Sequence, residues 1–223
     1  MKTKCVLLFS SLLLSSMVFS QNTDCRTTLS IYSGHAKVKN YQAAKPYYAK
    51  LVKDCPSYNL AIYQYGARMF KHFLEEGDPA KKMENAQALI ESYKKRLQYF
   101  PEKTNTGDAL ADIAQVMYDN NIGTKTEQYA AFDKAWTTDK ETFLSPKSLY
   151  TYFSLLVDLH DAGKKDLQEV FDKYDAVIAQ IEKLENQQAE IAAPLIKKQD
   201  AGDTLTAKEK RALKVSEIYL SNY

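Results

Sequence analysis

The sequence predicts an all-α protein in which antiparallel helix pairs stack as an α-solenoid and are followed by a long helical hairpin. Three observations predict this. Only 7 Gly and 6 Pro occur in 223 residues, while Ala, Lys, Glu, Gln and Leu are abundant, a composition that favours helix throughout. Apolar residues recur at intervals of three and four in segment after segment, which places them on one face of a helix. Breaks at proline, glycine and asparagine divide the chain into pairs of such segments at a spacing of roughly 35 to 45 residues, a period typical of helical-repeat arrays.

The first element is a targeting segment. Lys2 and Lys4 precede an apolar run from Cys5 to Leu14, and small residues follow up to Ser20. A basic region, a short apolar region and a small residue at the cut describe a secretory signal peptide over 1–20, leaving Gln21 as the new amino terminus. The run is too short for a membrane span, which needs about 20 apolar residues. Cys25 follows Asn22, Thr23 and Asp24 rather than a small-residue box, so a lipid anchor is not expected.

Residues 24 to 38 form the first predicted helix, with Cys25, Leu29, Tyr32 and Ala36 on one face. After Lys39 and Asn40 the same spacing returns in Tyr41, Ala44, Tyr48, Leu51 and Cys55, and Pro56 ends the second helix. Together they make an antiparallel hairpin. The start of its first helix lies beside the end of its second, where Cys25 and Cys55 stand. In an exported protein an even cysteine count points to a disulfide, the alternative being two buried free thiols. Such a bond closes a loop of about 30 residues and is worth roughly 3.5 kcal/mol in the chain-entropy model.

A second pair runs from about Tyr58 to Glu75 and from Ala80 to Phe100, divided by Gly77, Asp78 and Pro79 and stopped by Pro101. The third pair covers roughly Gly107 to Asn120 and Thr126 to Thr137, with Asn121, Ile122 and Gly123 as its turn. A fourth opens at Ser145 and Pro146, a capping serine with proline at the first helical position, and its first helix ends at Gly163. From Leu167 a narrow stripe including Val170, Phe171, Tyr174, Val177, Ile181, Leu184, Ile191 and Leu195 predicts one long helix with a coiled-coil-like seam. Thr206 to Glu209 reads as a capping box, and the helix behind it completes a long hairpin over 164–223. Its apolar face is still running at Tyr223, so the helix is expected to continue past the given chain or to pair with something else.

The spacing of Tyr41, Ala44, Tyr48 and Pro56 resembles the second helix of a tetratricopeptide repeat (TPR). Gly66, between Ile62 and Met69, stands where the next repeat's glycine is expected, and Phe132 and Ala135 are similar in the third pair. Pro101 repeats the terminator, but it lies 45 residues after Pro56 where the family expects 34, and the surplus falls in "EEGDPAKK". The resemblance covers about 24–163 and implies a right-handed solenoid over 21–163. Signal, Gln21 and repeat style together are similar to the exported repeat proteins of Bacteroidota. The resemblance further implies a protein or peptide partner bound on the first helix of each pair. Register places Arg26, Leu29, Ser33, Ala36 and Lys37 there in the first pair, and Leu60, Tyr63, Ala67, Phe70 and Lys71 in the second. Of these, Arg26, Ser33, Lys37, Tyr63, Phe70 and Lys71 are the candidate contacts. Ser33 and Ala67 stand where carboxylate-clamping relatives have asparagine, and Tyr63 and Phe70 have a plainer role open to them, packing between helices.

Charge and chemistry narrow the function. Loss of Lys2 and Lys4 with the signal leaves 28 basic against 28 acidic residues, without the basic stripe of a nucleic-acid binder. No P-loop, nucleophile elbow or dinucleotide glycine fingerprint occurs. His72 with Glu75 or Glu76 has ligand spacing on a helix, yet no second ligand pair accompanies it. Glu75 with Glu76 and Asp158 with Asp161 fit solvated helix faces better than a glycosidase cleft. The expectation is a non-enzymatic chain without cofactor, metal or membrane span. It is expected to be exported to the periplasm or cell envelope and to act as an interaction scaffold peripheral to an outer-membrane or secretion assembly. A soluble holdase-type chaperone for exported chains is the alternative.

Overall fold

The computed structural model describes residues 24–221. The predicted signal peptide 1–20, the new terminus at Gln21 and the terminal Tyr223 lie outside the described residues. Among the described residues the protein is all-helical, with nine α-helices, three single-turn 3-10 helices and no strand. They fall into two compact units, Met1–Thr104 and Asn105–Tyr223.

The first unit contains α1 (24–37), α2 (Tyr41–Asp54), α3 (Ala61–Glu76) and α4 (Lys82–Tyr99). Lys39 takes a positive φ of 58° in the α1–α2 turn, and the Asn40 side chain caps α2 by accepting from the Ala43 amide. Cys25 and Cys55 are joined, with Cα atoms 5.9 Å apart. The bridge ties the first turn of α1 to the C-cap of α2. Tyr41, Ala44, Tyr48 and Leu51 are the buried face of α2, as their spacing predicts. α3 begins at Ala61 rather than Tyr58, because Asn59 turns the chain by accepting from the Ala61 amide at 2.8 Å. The Tyr63 hydroxyl ties down this same turn by donating to the Pro56 carbonyl at 2.8 Å. In the surplus segment, Asp78 caps a single 3-10 turn, Pro79–Lys81, ahead of α4.

The second unit contains α5 (Thr106–Asp119), α6 (Lys125–Asp139), α7 (Pro146–Asp161), α8 (Leu167–Asp200) and α9 (Ala207–Leu220). Ser145 and Thr206 cap α7 and α9 as predicted, and a second capping box, Thr124 with Glu127, opens α6. Phe132, Trp136, Phe143, Leu149, Tyr152, Leu155 and Leu156 form one core, and Val177 and Leu184 of α8 are part of it. The sequence reading divides the chain at 163/164, whereas the division into compact units falls after Thr104. The physical reason is that the first half of α8 fills the α5–α7 core instead of a seam of its own.

Beyond Leu184, α8 packs against α9 through a smaller cluster of Ala192, Leu205 and Leu213, with Leu195 against it. Pro194 lies inside α8, where it has no amide to donate to the preceding turn. The inter-helix turn is held by Glu209, which accepts from the Thr206 amide at 2.8 Å and from Lys198 Nζ at 2.7 Å. The Lys198 ammonium, then the Thr206 donors, hold the Glu209 carboxyl down at about 2. A carboxyl depressed in the folded state stabilises it above the ordinary carboxylate range and loses that effect as pH falls through the folded value. NMR titration of the first-turn amides of α9 is therefore expected to show a transition between about pH 4.5 and 2. In Glu209→Ala that transition disappears, and those amides are less protected already at neutral pH.

Candidate interaction surfaces

In the first unit, aromatic side chains at helical spacing meet one another across helices. The Tyr32 hydroxyl donates to the Ile62 carbonyl at 3.0 Å, and its ring meets Tyr65 edge-on at 6.1 Å. Phe70 meets Tyr48 edge-on at 5.3 Å, and Tyr63 stacks on Tyr99 at 6.3 Å beside Phe100. Burial raises the phenol of Tyr48 to about 12 and pushes those of Tyr32 and Tyr63 up as well. All three stay neutral at physiological pH and act as hydrophobic bodies, and the hydroxyls of Tyr32 and Tyr63 are satisfied by the Ile62 and Pro56 carbonyls.

The six residues proposed for partner contact are therefore divided. Tyr63 and Phe70 are buried in this aromatic packing, where a partner does not reach them. Ser33 is half-buried and donates to the Ser30 carbonyl. Arg26 and Lys37 are exposed, and so is Lys71, whose ammonium lies 5.8 Å above the Tyr93 ring. Counting around the helix, Ile31, Gly34 and Val38 lie opposite the buried Tyr32 and Ala36 face. Val38 is 74% exposed, and a Cβ at Gly34 would meet no atom within 4 Å. Arg26 and Lys37 border one edge of that stripe.

His72 lies against the Tyr41 ring at 5.0 Å and 3.7 Å from the Glu76 carboxylate. Among the described residues no three His, Cys, Asp or Glu side chains gather closely enough to hold a metal ion. Nor is any described helix long and apolar enough to cross a membrane.

A polar cluster in the second unit is invisible to sequence spacing. Tyr152, fully buried, donates its hydroxyl to Asp133, and Lys173 donates to the same hydroxyl at 2.6 Å. The Lys173 ammonium also sits 4.9 Å from the Tyr152 ring centre and 5.5 Å from that of Trp136. Beside it Lys165 pairs with Glu169 at 2.6 Å and lies over Tyr129, which stacks on Tyr152. Burial, then the bond to Asp133, drives the Tyr152 phenol far above its ordinary value. A phenol so raised gives up no proton at neutral pH. The cluster acts as a clamp that fastens α8 to α6 and α7. Lys173→Met removes two charged hydrogen bonds and both cation–ring contacts at a side chain that is 17% exposed. Urea unfolding is expected to show a loss of about 2–3 kcal/mol.

The outer side of α8 is different. Leu167, Phe171 and Tyr174 are all exposed, Phe171 at 57%. The single apolar seam of the sequence reading is in fact two. Val177 and Leu184 face the core, and Leu167, Phe171 and Tyr174 lie about 100° away around the helix at 3.6 residues per turn. That offset is the signal in the sequence that distinguishes them. No family model matches the chain, and no curated protein was found to be similar to it.

Proposed function

We propose that the protein is a non-catalytic interaction scaffold of the cell envelope. Its helix pairs belong to a right-handed TPR-like solenoid, and it is exported and peripheral to an outer-membrane or secretion assembly. The single observation that carries this reading is the solvent face of α1. Ile31 and Val38 stand exposed, with Arg26 and Lys37 along one edge of the stripe, over a backbone left open at Gly34. Apolar side chains bordered on one edge by charge, on a helix stapled at its start by Cys25, offer a preorganised docking face. The Cys25–Cys55 bridge fits an oxidising compartment. The polar clusters that resemble chemistry are occupied in packing, as the Tyr152 clamp is, which supports a non-enzymatic role.

The test is affinity purification from native envelope with mild crosslinking and mass spectrometry, comparing the wild type with Val38→Asp. One dominant partner, retained by the wild type and lost with Val38→Asp, is the expected result. A broad set of unrelated exported chains would overturn the scaffold in favour of a holdase-type chaperone.

A further inference from the structure

α8 and α9 carry two exposed stripes whose patterns are mirror images of each other. On α8, Leu167, Phe171 and Tyr174 are exposed, Ile178 is half-buried, and the exposed acids Asp175 and Glu182 lie on the same side. At 3.6 residues per turn these six residues fall within a sector of about 100°. From the amino end onward the stripe is apolar over Leu167, Phe171 and Tyr174 and then carries Asp175 and Glu182, with Ile178 between them. On α9, Lys208, Arg211, Val215 and Ile218 are exposed within a sector of about 80°, and they run from basic to apolar. This sector faces away from Leu213 and Ser216, the buried face of α9.

The lengths agree. Phe171 to Glu182 spans about 16 Å along the helix axis, and Lys208 to Ile218 about 15 Å, at 1.5 Å per residue. Laid antiparallel, Lys208 and Arg211 come to Glu182 and Asp175, while Val215 and Ile218 come to Tyr174 and Phe171. Laid parallel with Lys208 level with Leu167, the basic pair would meet Leu167 and Phe171, Ile218 would come level with Ile178, and Glu182 would face no basic residue. Among the described residues none of Asp175, Glu182, Lys208 and Arg211 takes part in an ion pair. Each therefore gains a partner without giving one up.

We propose that the α9 stripe of a second copy of this chain seats antiparallel on the α8 stripe. The geometry of the hairpin then dictates the assembly. α9 already runs antiparallel to its own α8, so the two α8 helices run parallel to each other. In its own hairpin the start of α9 lies beside Lys198, through the bond to Glu209. In the contact it lies beside Glu182 of the other copy, which slides one α8 past the other by about 16 residues, or about 24 Å. A slid, parallel pair has no two-fold axis. The contact is heterologous, and each copy keeps one stripe open, so association proceeds head to tail. This surface belongs to the second unit alone and does not rest on the α1 face.

Sedimentation velocity of the processed chain, from low micromolar to about 200 µM, tests the proposal in the range where weak interfaces populate. The expected result is a concentration-dependent ladder of species that shrinks at high salt. Glu182→Lys and Lys208→Glu alone should each weaken association about tenfold by setting like charges across the contact. The double exchange should restore it. Circular dichroism of these exposed-site variants checks that each is folded. A chain that is monomeric at every concentration overturns the proposal, as does a closed dimer, indifference to either single exchange, or a double exchange without rescue.

Discussion

Reducing the Cys25–Cys55 bridge, or replacing both cysteines by serine, is expected to lower the stability of the first unit by about 3.5 kcal/mol. The bond spans a sequence separation of 30 residues. Its effect in the chain-entropy account arises in the unfolded chain, which loses the freedom to separate those ends. What remains without it is modest. The hairpin keeps the buried faces of Tyr32, Ala36, Ala44, Tyr48 and Leu51, and one exposed ion pair, Lys50 to Asp24 at 2.9 Å. An exposed pair of that kind contributes at most about 1 kcal/mol. Urea unfolding with and without reductant measures the difference, and because the bond ties the first turn of α1 to the end of α2, the amides of α1 should lose protection first. Equal stability in both conditions would show that the helix faces alone hold the hairpin.

Gly107→Ala is expected to cost about 3 kcal/mol, the upper part of the range for overpacking. A Cβ there would lie 2.0 Å from the Asp139 carbonyl oxygen and 3.0 Å from the Phe143 amide nitrogen. Those are backbone atoms in the turn that follows α6, and they have no rotamer to escape into. The same turn caps α5. The Gly107 amide donates to Thr142 Oγ1 at 2.9 Å and to Asp139 at 3.4 Å. The Thr142 hydroxyl, with help from these amides, holds the Asp139 carboxyl below its ordinary range. Gly66→Ala is the control. Its Cβ would meet Tyr48 Cε2 at 2.5 Å, a ring edge that can turn by a small amount, and about 1–2 kcal/mol is expected. Chemical denaturation of the two variants side by side should rank Gly107 above Gly66, and the opposite order would show that the Asp139 turn yields.

Helix boundaries were legible wherever the signal is local. Pro56, Pro101, Ser145 with Pro146, and Thr206 with Glu209 each act within one turn of chain, and α2, α4, α7 and α9 begin or end beside them. Tyr58 is the exception, because Asn59 accepts the Ala61 amide and so spends two further residues on the turn. What a helix face touches was not legible. Periodicity marks Tyr63, Phe70 and Phe171 alike as members of apolar stripes, yet the first two are buried and the third is exposed. The difference depends on which helix lies opposite, and that is set by the packing of the whole unit. The Asp133, Tyr152 and Lys173 clamp draws on three helices, with 40 residues between its ends, so no spacing rule could join them. Gly107 and Asp139 are separated by 32 residues for the same reason.

α8 is one unbroken helix of 34 residues supported in two unequal ways. Its inner half is gripped by the Lys173 clamp, by Val177 and Leu184, and by Gln180, which donates to the Lys140 carbonyl at 3.0 Å. Its outer half leans on α9 and a handful of aliphatic side chains, with a proline in the span. In mechanical terms it is a cantilever. A load placed on the tip near Gly202 is carried along the helix backbone, whose hydrogen-bond ladder skips the Pro194 amide, to the clamp, while the tip itself can open locally without disturbing the anchor. Amide exchange along α8 should therefore read as a gradient of stiffness, steepest just past Leu184.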